Sequence, residues 1–324
     1  MKAIVNTAPG RLEMLDWPMP QPGPGHVRIR TGACGVCATD LAMIAGWERT
    51  GFPAIPGHEW SGTVDAVGAG ADSGLLGRRC VAENVLSDGG EVGFEHPGGY
   101  AEFLLTEAKN LHILPDDFPF PAATLIEPLA VCVRGMRRLR LQDRSAALVF
   151  GDGPIGLIMV MLLRRAEVEH VALVGGRAGR LALARELGAE KLLNYHEFGD
   201  DLPGAVEHAA GRSFPNVIEA SGSAASIKAA LQLVADCGGI LVIGDYGEDR
   251  SEFRWNDLLH REMEIIGSNA SAGAWPEAIR LATQDGLPLH RLVTHRFPAA
   301  NFAEAIELAG SHRPDVVKVV LEWR

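Results

Sequence analysis

From about Ser145 onward, short β-rich apolar runs alternate with amphipathic helical ones. AALVF, HVALV, KLLNY, NVIEA, GILVIG and EIIGS are separated by segments such as RAGRLALARELGA and SAASIKAALQLVA. Apolar runs of strand length joined by helices imply a parallel sheet covered on both faces. Six strands suit a doubly wound nucleotide-binding domain. Residues 1 to about 125 have a different rhythm, in which the short strands KAIVN, HVRIRTGA, WSGTVDAVG, RRCVAEN and YAEFLLTE are cut by clusters such as PMPQPGPGH and VGAGADSG. That pattern predicts a β-rich domain with many turns. After about Ser271 come a helix, the strand RLVTHRF, the helix NFAEAIELAG and the strand VVKVVLEW. Because six strands already complete the nucleotide domain, this tail is expected to return to the first one. The expected division is residues 1–130 with 271–324, and 131–270.

The chain's 324 residues, 47% hydrophobic and 22% charged, are enough for two cores, and five cysteines are too few for a disulfide scaffold. A formal charge of -11, from 30 basic and 41 acidic residues, argues against a nucleic-acid partner and for a small-molecule one. The opening MKAIVNTAPGRLEMLDWPMP lacks the apolar core of a signal peptide, which makes the cytoplasm the expected compartment. No membrane association is expected either. The longest apolar stretch, from Ala146, is interrupted by Asp152 and by glycines.

Directly after AALVF, the segment GDGPIG sets Gly151, Gly153 and Gly156 in the G-x-G-x-x-G register, with Pro154 and Ile155 opening a helix. Glycines there allow a tight turn, close approach of backbone to pyrophosphate and packing of helix on strand, while the helix N-terminus offers amides to the anion. A free ribose 2'-hydroxyl calls for an acid at the end of the second strand. That strand runs instead into Gly175, Gly176 and Arg177, with Arg180 following. Loss of the acid and gain of guanidinium groups favour a 2'-phosphate, hence NADP(H) over NAD(H).

The stretch GACGVCATDL sets Cys34 and Cys37 in a C-x-x-C spacing, which admits a redox pair, half of a zinc knuckle, or one working cysteine beside a bystander. Further on, IPGHEWSG carries His58 and Glu59, and LIEPLAV carries Glu127. Cys, His and carboxylate are the ligand types of a catalytic zinc with one open position. Singly, His58 also reads as a hydrogen-bonded turn residue and Glu127 as a helix-start carboxylate.

Taken together, GVCATDL, PGHEWSGTVDAVG, GGYAEFLL, LIEPLAV and GDGPIGL, in that order, resemble the zinc-dependent medium-chain alcohol and polyol dehydrogenases, in the branch that includes sorbitol and threonine dehydrogenases. The resemblance covers essentially the whole chain. It implies an α/β protein with a chaperonin-10-like β-rich catalytic domain and a Rossmann domain, the active site lying in the cleft between them. It also implies Cys37 and His58 as zinc ligands, Glu127 as third ligand or nearby carboxylate, and Glu59 as an adjacent acid that ligates or lies just behind the metal. Thr39 matches the hydroxyl that bonds the substrate oxygen and passes its proton outward. Cys34 falls on no family ligand position and reads as a small buried residue. Tyr195 resembles a residue that packs near the 2'-phosphate in NADP-dependent relatives, although tyrosine also occurs there in NAD-dependent ones.

Two departures from the family pattern matter. Between Cys80 and Gly98 there is none of the four closely spaced cysteines that hold a structural zinc, so one zinc per subunit is expected. Ala42 stands where alcohol-oxidising relatives often have a proton-relaying histidine, leaving the relay beyond Thr39 to water or another residue. EPLAV and HEWSG are similar to the polyol, threonine, cyclitol and amino-sugar enzymes, which points to a secondary alcohol on a polar substrate. The alternatives are a zinc-free quinone or enone reductase and a nucleotide-binding sensor. The resemblance also implies that EIIGS, the last strand of the nucleotide domain, extends its sheet across a two-fold axis as in the family, hence a homodimer or homotetramer, in keeping with the hazard of an open apolar edge strand.

Overall fold

The computed structural model describes residues 1–141, 143–198 and 202–323. The chain opens with strands β1 (Lys2–Ala8), β2 (Arg11–Asp16) and β3 (His26–Gly35), followed by helix α1 (Ala38–Ala45) and strands β4 (Glu59–Val67), β5 (Arg79–Ala82), β6 (Phe103–Glu107) and β7 (Leu111–Ile113). Helices α2 (Phe120–Ala123) and α3 (Ile126–Leu139) lead into β8 (Ala146–Phe150), α4 (Pro154–Arg165), β9 (His170–Gly175), α5 (Ala178–Glu186) and β10 (Lys191–Asn194). Then come α6 (Leu202–Ala210), β11 (Phe214–Glu219), α7 (Ala224–Leu233), β12 (Val234–Val242), α8 (Trp255–His260) and β13 (Glu264–Gly267). The last elements are α9 (Trp275–Thr283), β14 (Val293–Pro298), α10 (Phe302–Gly310) and β15 (Lys318–Glu322).

Two compact units result, Met1–Pro128 with Trp275–Arg324, and Leu129–Ala274. In the first, β14, β15, β3, β4, β5 and β7 lie side by side, and β6 also pairs with β3. Central β3 alternates as a half-buried strand should: Val27, Ile29, Thr31 and Ala33 are buried, and Arg28 and Arg30 are not. The tail reaches this sheet through β15, which runs antiparallel to β3 with Leu321 opposite Cys34. Lys318, first in β15, extends Nζ to both carboxylate oxygens of Glu59, first in β4, at 2.8 and 2.7 Å. Both residues are buried. Burial works against the ammonium, but Glu59 and the neighbouring Cys37 and Asp40 outweigh it and hold Lys318 above the usual lysine range.

The second unit is a parallel sheet ordered β10-β9-β8-β11-β12-β13, the doubly wound arrangement in which strand order reverses beside the first strand. All five residues of β8 are buried, as a strand covered on both faces requires. One boundary departs from the sequence expectation. Val234 and Ala235 do not extend the preceding helix, because fully buried Val234 starts β12 opposite Phe214. The register then slips before Asn216 meets Gly239, and the extra residues include Cys237 at a φ of 59°. Among the described residues no helix is long and apolar enough to cross a membrane.

The Lys318 and Glu59 pair joins the C-terminal strand to the start of β4, and removing one partner leaves a buried charge unmatched. Lys318→Met should therefore lower unfolding free energy by about 3–5 kcal/mol, read from urea denaturation. The double change Lys318→Met with Glu59→Gln should recover most of that loss. Equal destabilisation by the single and double variants would refute the pairing argument.

Candidate functional site

In the first unit, the turn between β3 and α1 positions Cys37. It is the residue just before the helix, and its amide donates to Asp40 Oδ2 at 2.8 Å. Asp40 has no exposed surface. Its other oxygen accepts from the Gly57 amide at 3.2 Å and lies 3.2 Å from His58 Nδ1, off-line for a hydrogen bond. Gly57 holds a φ of 101°, and the Tyr100 ring fills the space a side chain there would need, so a tight glycine turn delivers His58. Thus one buried carboxylate fastens the segments that carry Cys37 and His58.

Cys37 Sγ, a His58 ring nitrogen and a Glu59 carboxylate oxygen all lie within 4.8 Å of one another, and among the described residues these three form the group able to hold a metal. The donor set is a zinc set, and its spread suits bonds of about 2.0–2.3 Å to a shared ion. Burial opposes protonation of His58, yet Asp40 and Cys37 outweigh it and hold the imidazole well above its usual range. Surroundings that would keep a proton there favour a metal cation in its place. Thr39 Oγ1 is 3.7 Å from Cys37 Sγ.

Glu127 stands in the first turn of α3, outside this group of three. Its carboxyl is pushed up to about 7, chiefly by burial, with His58 pulling it back and Glu59 adding to the rise. Cys34 is wholly buried in the core, and its thiol contacts the Gly35 carbonyl at 3.6 Å. The opening ambiguity of C-x-x-C therefore resolves into one cysteine at the cluster and one packed in the core. Ala42 is exposed on α1.

The segment that lacks the four cysteines closes by other means. Val85 bridges Glu91, Val92 bridges His96, and Arg49 bonds Glu95 at 2.7 Å and Glu91 at 2.8 Å. The Arg49 guanidinium also lies 4.4 Å over the Phe94 ring, which packs 4.9 Å from the His58 ring.

In the second unit, the predicted cradle forms at the carboxyl end of β8. Gly151 turns the chain at a φ of 110°, with Ala220 backbone where a side chain would go. Gly153 faces open space and begins α4, with Pro154 as the first helical residue and Ile155 next. A side chain on Gly156 would run into the Gly151 carbonyl. Turn, clearance and helix packing are the three separate requirements of a pyrophosphate cradle, so these residues fit a dinucleotide.

The corner at the end of β9 corrects one expectation. A carboxylate is present there, supplied by Asp152 in the glycine loop rather than by β9. Asp152 Oδ2 accepts from the amides of Gly176 and Arg177 at 2.9 and 2.8 Å, and Oδ1 accepts from Arg177 Nη1 at 2.9 Å. Arg180 Nη1 lies 3.8 Å from the same oxygen. Any side chain at Gly175 would collide with Asp152, and any at Gly176 with the Tyr195 ring. Gly175, Gly176, Arg177, Arg180 and Tyr195 therefore do converge, but around an acid that sequence reasoning had not placed.

Other contributors were also missed. Asp40 carried a signal, being an acid three residues after the helix cap. Lys318 carried another, as a lone charge in VVKVVL. At the end of β11, fully buried Glu219 accepts from Ser221 N at 2.9 Å, from Tyr246 Oη at 2.5 Å and from the Ser221 hydroxyl. It thereby braces the turns after β11 and β12, at the carboxyl edge where such sheets bind ligands.

A doubly wound unit with a dinucleotide cradle and a β-rich unit with a Cys-His-carboxylate cluster define a nicotinamide-dependent oxidoreductase. The comparisons narrow that class. Residues 23–116 match the alcohol dehydrogenase GroES-like domain and residues 154–284 the zinc-binding dehydrogenase domain. The D-altritol 5-dehydrogenase of Agrobacterium fabrum is 31% identical over 320 residues, covering 92% of this chain and 93% of that protein. Two solved structures share the whole fold. The Escherichia coli CFT073 alcohol dehydrogenase rspB, complexed with NADH, has a TM-score of 0.93 at 26% identity and covers 99% of both chains. A zinc-binding dehydrogenase of Sinorhizobium meliloti 1021 bound to NADP has a TM-score of 0.91 at 25% identity, covering 99% of this chain and 98% of its own. The chain belongs to the zinc-dependent medium-chain dehydrogenase family, in its sorbitol dehydrogenase-like branch, and is an alcohol/polyol dehydrogenase.

Metal analysis of the purified protein should return one zinc per chain; two, or none after metal-replete expression, would contradict the cluster as described. Cys37→Ser should lose both metal and turnover, whereas Cys34→Ser should keep most of each. Equal loss from the two would restore the paired-cysteine reading.

Proposed function

We propose that this enzyme interconverts a secondary alcohol and its ketone on a polyol, cyclitol or sugar-like substrate, using one zinc and NADP(H) in preference to NAD(H). The observation that carries this reading is the Cys37, His58 and Glu59 group, with its donor atoms within 4.8 Å of one another. These three would hold the metal, with Lys318 as the counter-charge behind Glu59. When bound, zinc supplies Lewis acidity to a hydroxyl or carbonyl oxygen and the nicotinamide takes or gives hydride. Thr39 accepts the substrate hydroxyl proton and passes it outward. Glu127, with its raised carboxyl, offers a neutral acid at near-neutral pH.

Support for the substrate class comes from the Agrobacterium relative, named for position 5 of D-altritol, which is a secondary alcohol on a polyol. Support for NADP(H) comes from Arg177 and Arg180, two guanidinium groups against the single carboxylate of Asp152. The S. meliloti relative is solved with NADP and the E. coli relative with NADH, so either nucleotide has precedent. The glycine loop cradles the pyrophosphate, and Tyr195 packs at Gly176.

A second copy of this chain is the proposed partner. Among the described residues, strand β13 is hydrogen-bonded on one side only, to β12, and its Ile265 is exposed together with Trp255 and Leu259 of α8. An apolar edge strand of this kind is stabilised by pairing across a two-fold axis.

Two experiments test this reading. A screen of alcohols, polyols and sugars with both nucleotides should find highest kcat/KM for a polar secondary alcohol with NADP(H), and Glu59→Gln should lower zinc content more than Glu127→Gln. Preference for NAD(H), or the reverse order of zinc loss, would count against it. Sedimentation should show a dimer or tetramer at micromolar concentration, and Ile265→Asp should shift it toward monomer.

A further inference from the structure

Asp152 has no part in the chemistry above, yet its side chain is buried and fully engaged. It stands in the glycine loop after β8 and reaches across to β9, taking two backbone amides on one oxygen and the Arg177 guanidinium on the other. Gly175 is explained by the same contact, because only a residue without a side chain leaves room for the carboxylate. We propose that Asp152 is a positioning residue that restrains the enzyme's preference for NADP(H): it engages Arg177 and sets a negative charge beside the place a 2'-phosphate would occupy. This rests on the reading of this corner as the site of the adenosine end of the cofactor.

Charge decides the direction of the effect. Arg177 and Arg180 supply two positive charges and Asp152 cancels one. Burial lowers the pKa of the Arg180 guanidinium, Arg177 lowers it further and Asp152 raises it, so the two arginines already compete for this carboxylate. A 2'-phosphate must share Arg177 with Asp152 and face its charge at close range, where protein screens poorly. A ribose hydroxyl is neutral and faces no such repulsion. Removing the carboxylate charge should therefore help NADP(H) and leave NAD(H) nearly unchanged. A carboxylate that merely ties the loop to β9 would instead affect both nucleotides alike.

The test is binding without turnover. The parent, Asp152→Asn and Asp152→Ser are titrated with NADPH and NADH by nicotinamide fluorescence, with 2',5'-ADP and 5'-AMP as competitors. Asn and Ser each keep an acceptor for the backbone amides, and thermal melts identify any variant that fails to fold. The NADPH-to-NADH affinity ratio should rise about tenfold in the folded variants, near the worth of one charge-assisted hydrogen bond, with 2',5'-ADP tightening in parallel. In an Arg177→Ala background the same changes should shift the ratio far less. An unchanged ratio with both nucleotides weakened would reduce Asp152 to a structural tether, and a falling ratio would mean that it presents Arg177 rather than restrains it; either overturns the proposal. If 2',5'-ADP and 5'-AMP fail to displace NADPH from the parent, the corner assignment falls and the proposal with it. A parent that favours NADH while the variants still shift toward NADPH would refute only the cofactor preference stated above.

Discussion

Two carboxylates with almost no exposed surface, Asp40 and Glu59, lie beside a cysteine and a histidine in one core, and the ammonium of Lys318 is buried with them. Burying anions is costly unless each finds donors or cations. Asp40 meets that demand with backbone amides, which places Cys37 and the turn before His58. Glu59 meets it with Lys318, which draws β15 onto the sheet at the position where the metal-capable group forms. The remaining excess of negative charge is what makes a divalent cation a natural occupant, and the raised His58 imidazole is a sign of the same excess.

Much of this was legible in the sequence because it is written locally. The six parallel strands follow from alternation of apolar runs and amphipathic helices, and the cradle from three glycines between a strand and a helix. The branch-level resemblance was carried by short motifs that keep their order along the chain. What was not legible depends on distant pairs. Lys318 and Glu59 are 259 positions apart, and nothing local in VVKVVL says which acid it meets. Gly175 is the more instructive case, since the missing acid was judged from its own strand while the charge came from the neighbouring loop, 23 residues earlier in the chain.

The segment without cysteines shows a different solution to a packing demand. A lobe clamped by a structural zinc is held by its metal. Here Arg49 clamps Glu91 and Glu95 and lies over Phe94, which packs against His58. Those carboxylates and the guanidinium are partly exposed, so the clamp is subject to screening within about 8–10 Å at ordinary salt. The Phe94 ring beside His58 thus lies under a guanidinium that an ion-pair network holds in place.

The pairing of Glu59 with Lys318 also has a consequence for synthesis. On the ribosome, Glu59 emerges 259 residues before its partner. At about 5–20 residues per second, the nascent chain spends on the order of ten to fifty seconds with that carboxylate lacking its ammonium. During this interval the unpaired acid disfavours burial of the β4 terminus, a penalty relieved once β15 brings Lys318 to it. The Cys37, His58 and Glu59 group thus depends on a contact that no chain segment before β15 can supply.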